Sequence, residues 1–151
     1  MKKTKGLIIL ETNVDDATPE ELSYSIEKLM EEGAMDAYII PIIMKKGRLG
    51  FLLRALCREE LSEKIAKLIT QETGSLGVRV LEVKERYEVE REIAEVGFEI
   101  NGEKETCRVK ISEVSAKPEF EDLKRISKKH KIPLRKLREK VLEKLKASFQ
   151  N

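Results

Sequence analysis

The sequence predicts an α+β chain whose first half runs β-α-β-β-α-β and whose second half adds a β-hairpin and two helices. Three observations carry this reading. A short apolar run leads into a helix-start signature at Thr18–Glu21. Apolar runs of strand length alternate with stretches of helical periodicity as far as residue 83. Asn101-Gly102, the strongest short hairpin signal, joins two alternating runs.

The elements follow in order. "LIILE", residues 7–11, is a continuous apolar run and reads as a buried strand. Thr18 offers a capping hydroxyl, Pro19 suits the first helical position, and Glu21 stands three residues after the cap. Leu22, Ile26, Leu29 and Met30 then recur at helical spacing until Gly33. "MDAYIIPIIM", 35–44, reads as a strand, and Pro41, which lacks an N–H, puts it at an edge or a bulge. "KKGRLG" turns the chain into a third strand, "FLLRALC". A second helix over about 59–72 places Leu61, Ile65, Leu68 and Ile69 on one face, with Gly74 after its end, and "LGVRVLEV" supplies a fourth strand. This is the split βαβ order of ferredoxin-like sandwiches, assigned to residues 1–85. Residues 86–151 form the second part: "VGFEI" and "TCRVKI" pair as the hairpin, and helices over about 119–130 and 134–148 are separated by Pro133. Leu134, Leu137, Val141, Leu142 and Leu145 make one apolar stripe. The boundary falls in "VKERYEVERE", which has the pattern of one long strand shared by both halves.

Composition narrows the function. Thirty basic residues against 28 acidic ones leave a net charge of +2, which excludes a generally basic nucleic-acid coat. Lys and Glu dominate the charged set, a bias of proteins from hot environments. Cys57 and Cys107 sit in apolar alternating stretches without a CxxC partner, and read as buried free thiols. No long apolar run or signal peptide is present, so the expectation is a cytoplasmic protein with no membrane partner. Charge is segregated: residues 11–36 hold nine acids and one base, residues 117–146 twelve bases and five acids. A basic helix pair would suit nucleic acid, but base-stacking aromatics are missing there except Phe120, so a solvated face, or attraction to the acidic half of a neighbouring subunit in a homo-oligomer, is the preferred reading.

Two stretches have the chemistry of a site. Asp15 and Asp16 follow the first strand in a chain that holds 24 Glu and only 4 Asp. They satisfy a helix dipole, or they grip a hard divalent cation close to the backbone, with Glu11 as a third oxygen. Lys45, Lys46 and Arg48 crowd one glycine-containing turn, which is either a solvated hairpin tip or a clamp for phosphate. Arg79 opens the fourth strand, and Lys117 precedes an acidic helix start. His130, the lone histidine, lies among lysines and is expected to be exposed, and no Ser or Cys has an evident base.

"ETNVDDATPEEL", "MKKGRLG", "SLGVR" and "KPEFED", in that order, resemble the C-terminal part of the LarC family, the pyridinium-3,5-bisthiocarboxylic acid mononucleotide nickel insertion proteins. The resemblance spans residues 7–145, and its first motif is specific. It implies a CTP-dependent nickel cyclometallase that serves the nickel-pincer nucleotide cofactor of lactate racemase-type enzymes. It also implies that this part binds CTP with Mn²⁺ or Mg²⁺. By that likeness Asp15, Asp16 and Glu11 are candidate metal ligands, and Lys45, Lys46, Arg48, Arg79 and Lys117 are candidate nucleotide contacts. Nickel is the substrate metal, with its ligands expected in a histidine-rich N-terminal portion or separate subunit. This sequence has "KKGRLG" where the family has something closer to KKNRPG, and Leu123 after "FED" where other residues are commoner; the basic residues are kept. The turn at 44–50 and the acidic loop are expected at opposite ends of the sheet, so that they meet on one nucleotide only across a subunit interface or else serve different sites. The alternatives are a non-enzymatic module binding a small effector and, less favoured, a nucleic-acid-associated regulator.

Overall fold

The computed structural model describes residues 1–148 and is α+β, as the sequence predicts. Lys3–Glu88 forms one compact unit; Met1–Lys2 and the chain from Val89 onward form the other.

In the first unit, β2 (Leu7–Val14), β3 (Asp36–Ile43), β4 (Leu49–Arg58) and β5 (Arg79–Val83) make an antiparallel sheet in the order β3-β4-β2-β5. Helices α1 (Pro19–Glu31) and α2 (Ser62–Thr73) pack on it over a core that includes Ile8, Leu10, Leu29, Leu53, Ile65 and Ile69. The α1 capping box forms: the Glu21 amide donates to Thr18 Oγ1 at 3.2 Å, and the Thr18 amide donates to Glu21 Oε2 at 2.7 Å. Pro41 lies on the edge strand β3, where a missing donor breaks no ladder on the open side. Gly74 ends α2 with φ of 68°, a left-handed conformation that glycine adopts without steric cost.

Register fixes what stands at each end of this sheet. Val14 pairs with Phe51 on β4, Ile43 of β3 pairs with Leu49, and Glu11 pairs with Arg79 at the start of β5. The loop after β2, the β3–β4 turn and the loop before β5 therefore share one end. The expectation of opposite ends is corrected: α1 carries the chain back across the sheet, so β3 runs parallel to β2 and finishes at the same end, with β4 between them. No subunit interface is needed to bring Asp15 to Arg48.

The stretch expected as one long strand is also broken. β5 ends at Val83, a short β6 (Arg86–Glu88) pairs with β1 (Lys2–Thr4), and a new strand begins at Arg91. Polar anchors explain the break. Lys3 Nζ donates to Glu85 Oε1 at 2.9 Å, and Thr4 Oγ1 donates to Glu88 Oε2 at 2.7 Å.

In the second unit, β7 (Arg91–Ile100), β8 (Glu103–Ser112) and β9 (Ser115–Pro118) form a three-stranded sheet. Asn101 and Gly102 turn the hairpin with φ of 51° and 82°, the left-handed pair that two-residue turns require. Helices α3 (Phe120–His130) and α4 (Leu134–Ser148) contribute Leu123, Ile126, Leu137, Val141 and Leu145 to its core. No helix is long and apolar enough to cross a membrane among the described residues.

Gly50 tests how tightly the site end of the sheet is held. A Cβ there would lie 2.7 Å from the Val14 carbonyl oxygen and 2.7 Å from Met44 Sδ. Met44 can swing aside, whereas the β2 backbone cannot. Gly50→Ala is expected to destabilise the chain by about 1–3 kcal/mol, read as a lower urea midpoint, while Gly77→Ala, with open space around it, changes the midpoint far less.

Candidate functional site

The site grows from one buried carboxylate. Glu11 is 7% exposed on β2, and the ladder sets Arg54 of β4 and Arg79 of β5 directly opposite it. Arg54 Nε donates to Glu11 Oε2 at 2.6 Å and Arg79 Nε donates to Glu11 Oε1 at 2.9 Å. Burial on its own would raise the carboxyl pKa, but the hydrogen bonds from Arg79 and Arg54 outweigh it and hold the group below its ordinary value of 4.5. Glu11, expected as a third metal oxygen, has both oxygens taken by guanidinium donors. The geometry makes it the anchor of two arginines.

Arg79 is fixed a second time, through Nη2 donating to Asn13 Oδ1 at 2.8 Å. One residue further back, Thr12 Oγ1 donates to the Gly77 carbonyl at 2.8 Å and shares a short hydrogen bond with Ser75 Oγ. These contacts strap the loop before β5 onto the end of β2. Between the two loops lies a polar cleft of about 390 Å³, with Asn13, Asp16, Ser75 and Arg79 in its lining.

Asp15 forms the wall between this cleft and a second one. Its Oδ2 receives Arg48 Nη1 from the β3–β4 turn at 3.1 Å. The second cleft, about 220 Å³, lies between Asp15-Ala17 and the strands β3 and β4 and is lined mostly by apolar side chains. Asp16 is exposed at the start of the helix approach. Lys45 and Lys46 are exposed in the same turn as Arg48, where Lys46 adopts φ of 62°. Arg48 itself is 61% exposed at its side chain, so its pairing with Asp15 is a loose surface contact that contributes little to stability.

The structure thus gathers Asp15, Asp16 and Arg79 along two adjoining clefts, with Arg48 paired to Asp15 and Lys45 and Lys46 on the same turn as Arg48. Lys117 is exposed on β9 of the other unit, in register with Lys110. Sequence reasoning missed Thr12, Asn13, Arg54 and Ser75. A signal for Arg54 existed, since it interrupts an otherwise apolar strand.

His130 corrects another expectation. Its side chain is only 4% exposed, and Nε2 lies 2.8 Å from Glu105 Oε1. Glu105 also receives Lys129 Nζ at 2.7 Å and Arg125 Nη1 at 3.1 Å, and Lys129, His130 and Arg125 together hold its carboxyl at about 2. Glu103, Glu105 and His130 bring ligand-type atoms within 4.8 Å of one another, but Lys129 Nζ sits 2.6 Å from Glu103 and 2.7 Å from Glu105. The ammonium already fills the cation position, which makes this a structural ion network. Both thiols are buried, Cys57 in one unit and Cys107 in the other, and burial raises both, Cys107 to about 11.

Glu11 gives the site a pH signature. Its folded pKa is depressed, so its contribution to stability is present above the ordinary 4.5 and is lost as pH falls through the folded value. Glu11→Gln is expected to cost about 1–3 kcal/mol near neutral pH and to flatten the acid limb of the stability curve, measured by urea denaturation at a series of pH values.

Residues 1–138 match the nickel insertion protein family. A pyridinium-3,5-bisthiocarboxylic acid mononucleotide nickel insertion protein of Acetivibrio thermocellus is 42% identical over 139 residues, covering 89% of this chain and 33% of the relative. The chain spans about a third of the length of the curated relatives it matches. A solved structure of LarC2, the C-terminal domain of a cyclometallase involved in synthesis of the NPN cofactor of lactate racemase, superposes with a TM-score of 0.82 at 28% identity, covering 96% of this chain and 99% of that one. A crystal structure of a Methanopyrus kandleri protein gives a TM-score of 0.66 at 29% identity, over 91% of this chain and 84% of that one. The polar and apolar clefts described above therefore stand on the fold of a C-terminal LarC part, and the chain belongs to the nickel insertion protein family.

Proposed function

We propose that this chain is the nucleotide-handling C-terminal portion of a nickel insertion protein. In this reading it binds CTP with Mn²⁺ or Mg²⁺ and acts on a pyridinium bisthiocarboxylate mononucleotide, together with an N-terminal nickel-binding portion or separate subunit. Nickel is the substrate metal. The observation that carries the reading is the convergence of Asp15 and Asp16 with Arg48 and Arg79 at one end of the sheet.

The donor set suits a hard cation and a polyphosphate. Asp15 and Asp16 offer short carboxylates at the edge of a polar cleft, and oxygen ligands are what Mg²⁺ and Mn²⁺ take. Asp15 and Asp16 would hold the cation, which when bound supplies charge neutralisation and polarisation of phosphate oxygens. Arg79 is the pre-set donor: Glu11 and Asn13 fix its guanidinium, so little side-chain freedom is lost when an anion meets it. Arg48, joined to Asp15 by one exposed contact, would with Lys45 and Lys46 neutralise the phosphates, leaving the Asp15 carboxylate to the cation. Lys117 has no part in the proposal. Nickel ligands are assigned outside this chain, because its two thiols are buried and its histidine is bonded to Glu105.

A ligand that binds only the folded chain stabilises it by mass action, about 2.7 kcal/mol at a hundredfold excess over Kd. Saturating CTP with Mn²⁺ is expected to raise the Tm by several degrees, and Mn²⁺ alone by much less. The double variant Asp15→Asn, Asp16→Asn removes the shift while leaving the unliganded Tm close to that of the parent. An unchanged melting curve for the parent chain with CTP and Mn²⁺ would overturn the proposal.

A further inference from the structure

We propose that Arg54, which stands in the lining of neither cleft, is a positioning residue that keeps the Arg79 end of the site net positive toward an anionic ligand. This inference rests on the proposed nucleotide site and assigns a role to a residue behind it. It starts from one line of side chains. In the ladder Tyr38 of β3 stands opposite Arg54 of β4, Arg54 opposite Glu11 of β2, and Glu11 opposite Arg79 of β5. Each of the four strands thus gives one polar residue to a row that crosses the whole sheet. Side chains two residues apart share a face, so Ile9, Leu52, Leu56 and Leu81 flank this row on the same side. Apolar surroundings screen charge less than water does, so charges in the row act on one another and on whatever meets Arg79.

The charge of the row decides what Arg79 can do. A Glu11–Arg79 pair alone would be neutral, and its carboxylate, held at 2.9 Å from Nε, would oppose any second anion brought to the same guanidinium. Arg54 changes the sum. Its Nε donates to the other carboxylate oxygen at 2.6 Å, so two guanidinium groups share one carboxylate and one positive charge is left over. Neither arginine has a second carboxylate partner among the described residues. Arg79 is the more open of the two, with its side chain 54% exposed against 32% for Arg54, so the surplus is offered where the polar cleft opens. Hydrogen bonds to Glu11 and then to Tyr38 favour the charged form of Arg54. Arg54 also occupies Glu11 Oε2. Left free, that oxygen would draw Arg79 into a two-pronged pair with Glu11, away from Asn13 and the cleft.

Calorimetric titration of the full chain with inorganic triphosphate and with CTP, Mn²⁺ present, tests the role. At an effective dielectric constant of about 20, a unit charge one strand away acts strongly on a polyanion, so Arg54→Gln is expected to weaken triphosphate binding at least about tenfold. Arg54→Lys restores the charge and is expected to recover most of the affinity. The decisive variant joins Glu11→Gln to Arg54→Gln. A glutamine amide at position 11 still accepts from Arg79 Nε but no longer opposes the anion, so the double variant is expected to bind more tightly than Arg54→Gln alone. If Arg54 merely props up Glu11, the double variant loses further affinity instead. Should Arg54→Gln fold too poorly to titrate, as read from its urea midpoint, Glu11→Gln is compared with the double variant. A loss of similar size on removing Arg54 is then expected, and equal affinities overturn the proposal. Triphosphate affinity unchanged by Arg54→Gln, or lower still in the double variant, also overturns it. If triphosphate binds the parent and responds to these variants while CTP binds no tighter than triphosphate, the nucleotide reading fails and the Arg54 role stands. A parent chain that binds neither ligand overturns both.

Discussion

Strand β4 runs between β2 and β3 and antiparallel to both, and this pairing sets what each loop can reach. It stands Phe51 beside Val14 and Leu49 beside Ile43, which puts the acidic loop and the basic turn at the same edge. It also sets Arg54 opposite Glu11 from one side while β5 brings Arg79 from the other. Hydrophobic burial holds the sheet to its helices, but the ladder register decides which charges meet. A slip of one residue would turn Glu11 toward the helices and separate it from both arginines.

Glu11 carries the cost of that arrangement. A carboxylate that is almost wholly buried is expensive to keep ionised, and only the two guanidinium groups make it favourable. In return Arg79 stands ready at the cleft with both its Nε and one terminal nitrogen already directed. Asp15 and Arg48 form the contrasting pair. They are more exposed and joined by one contact, and so suit a role in which each changes partner. The site thus combines a fixed cation with exchangeable charges, an arrangement matched to a ligand that brings its own metal and its own negative charge.

Much of the fold was legible because local signals agreed with the global one. The capping box at Thr18, Pro41 on an edge strand and the Asn101-Gly102 turn each formed as their chemistry dictates. The chain around residues 84–90 was not legible: no Gly or Pro punctuates it, and the anchors at Lys3 and Thr4 come from more than eighty residues away. At the site, the residue types were readable and their partnerships were not. Glu11 looks like any strand-end acid until the register supplies two arginines, and His130 looks solvated until β8 presents Glu105. Non-local pairing is what a one-dimensional reading lacks.

The most direct test uses the paramagnetism of Mn²⁺ on the isotopically labelled full chain with CTP present. The account predicts that substoichiometric Mn²⁺ broadens amide signals of residues 12–17, 44–50 and 75–79 together, and that this pattern depends on CTP. Broadening centred on Glu103, Glu105 and His130, or broadening of the 12–17 loop that is indifferent to CTP, would contradict it.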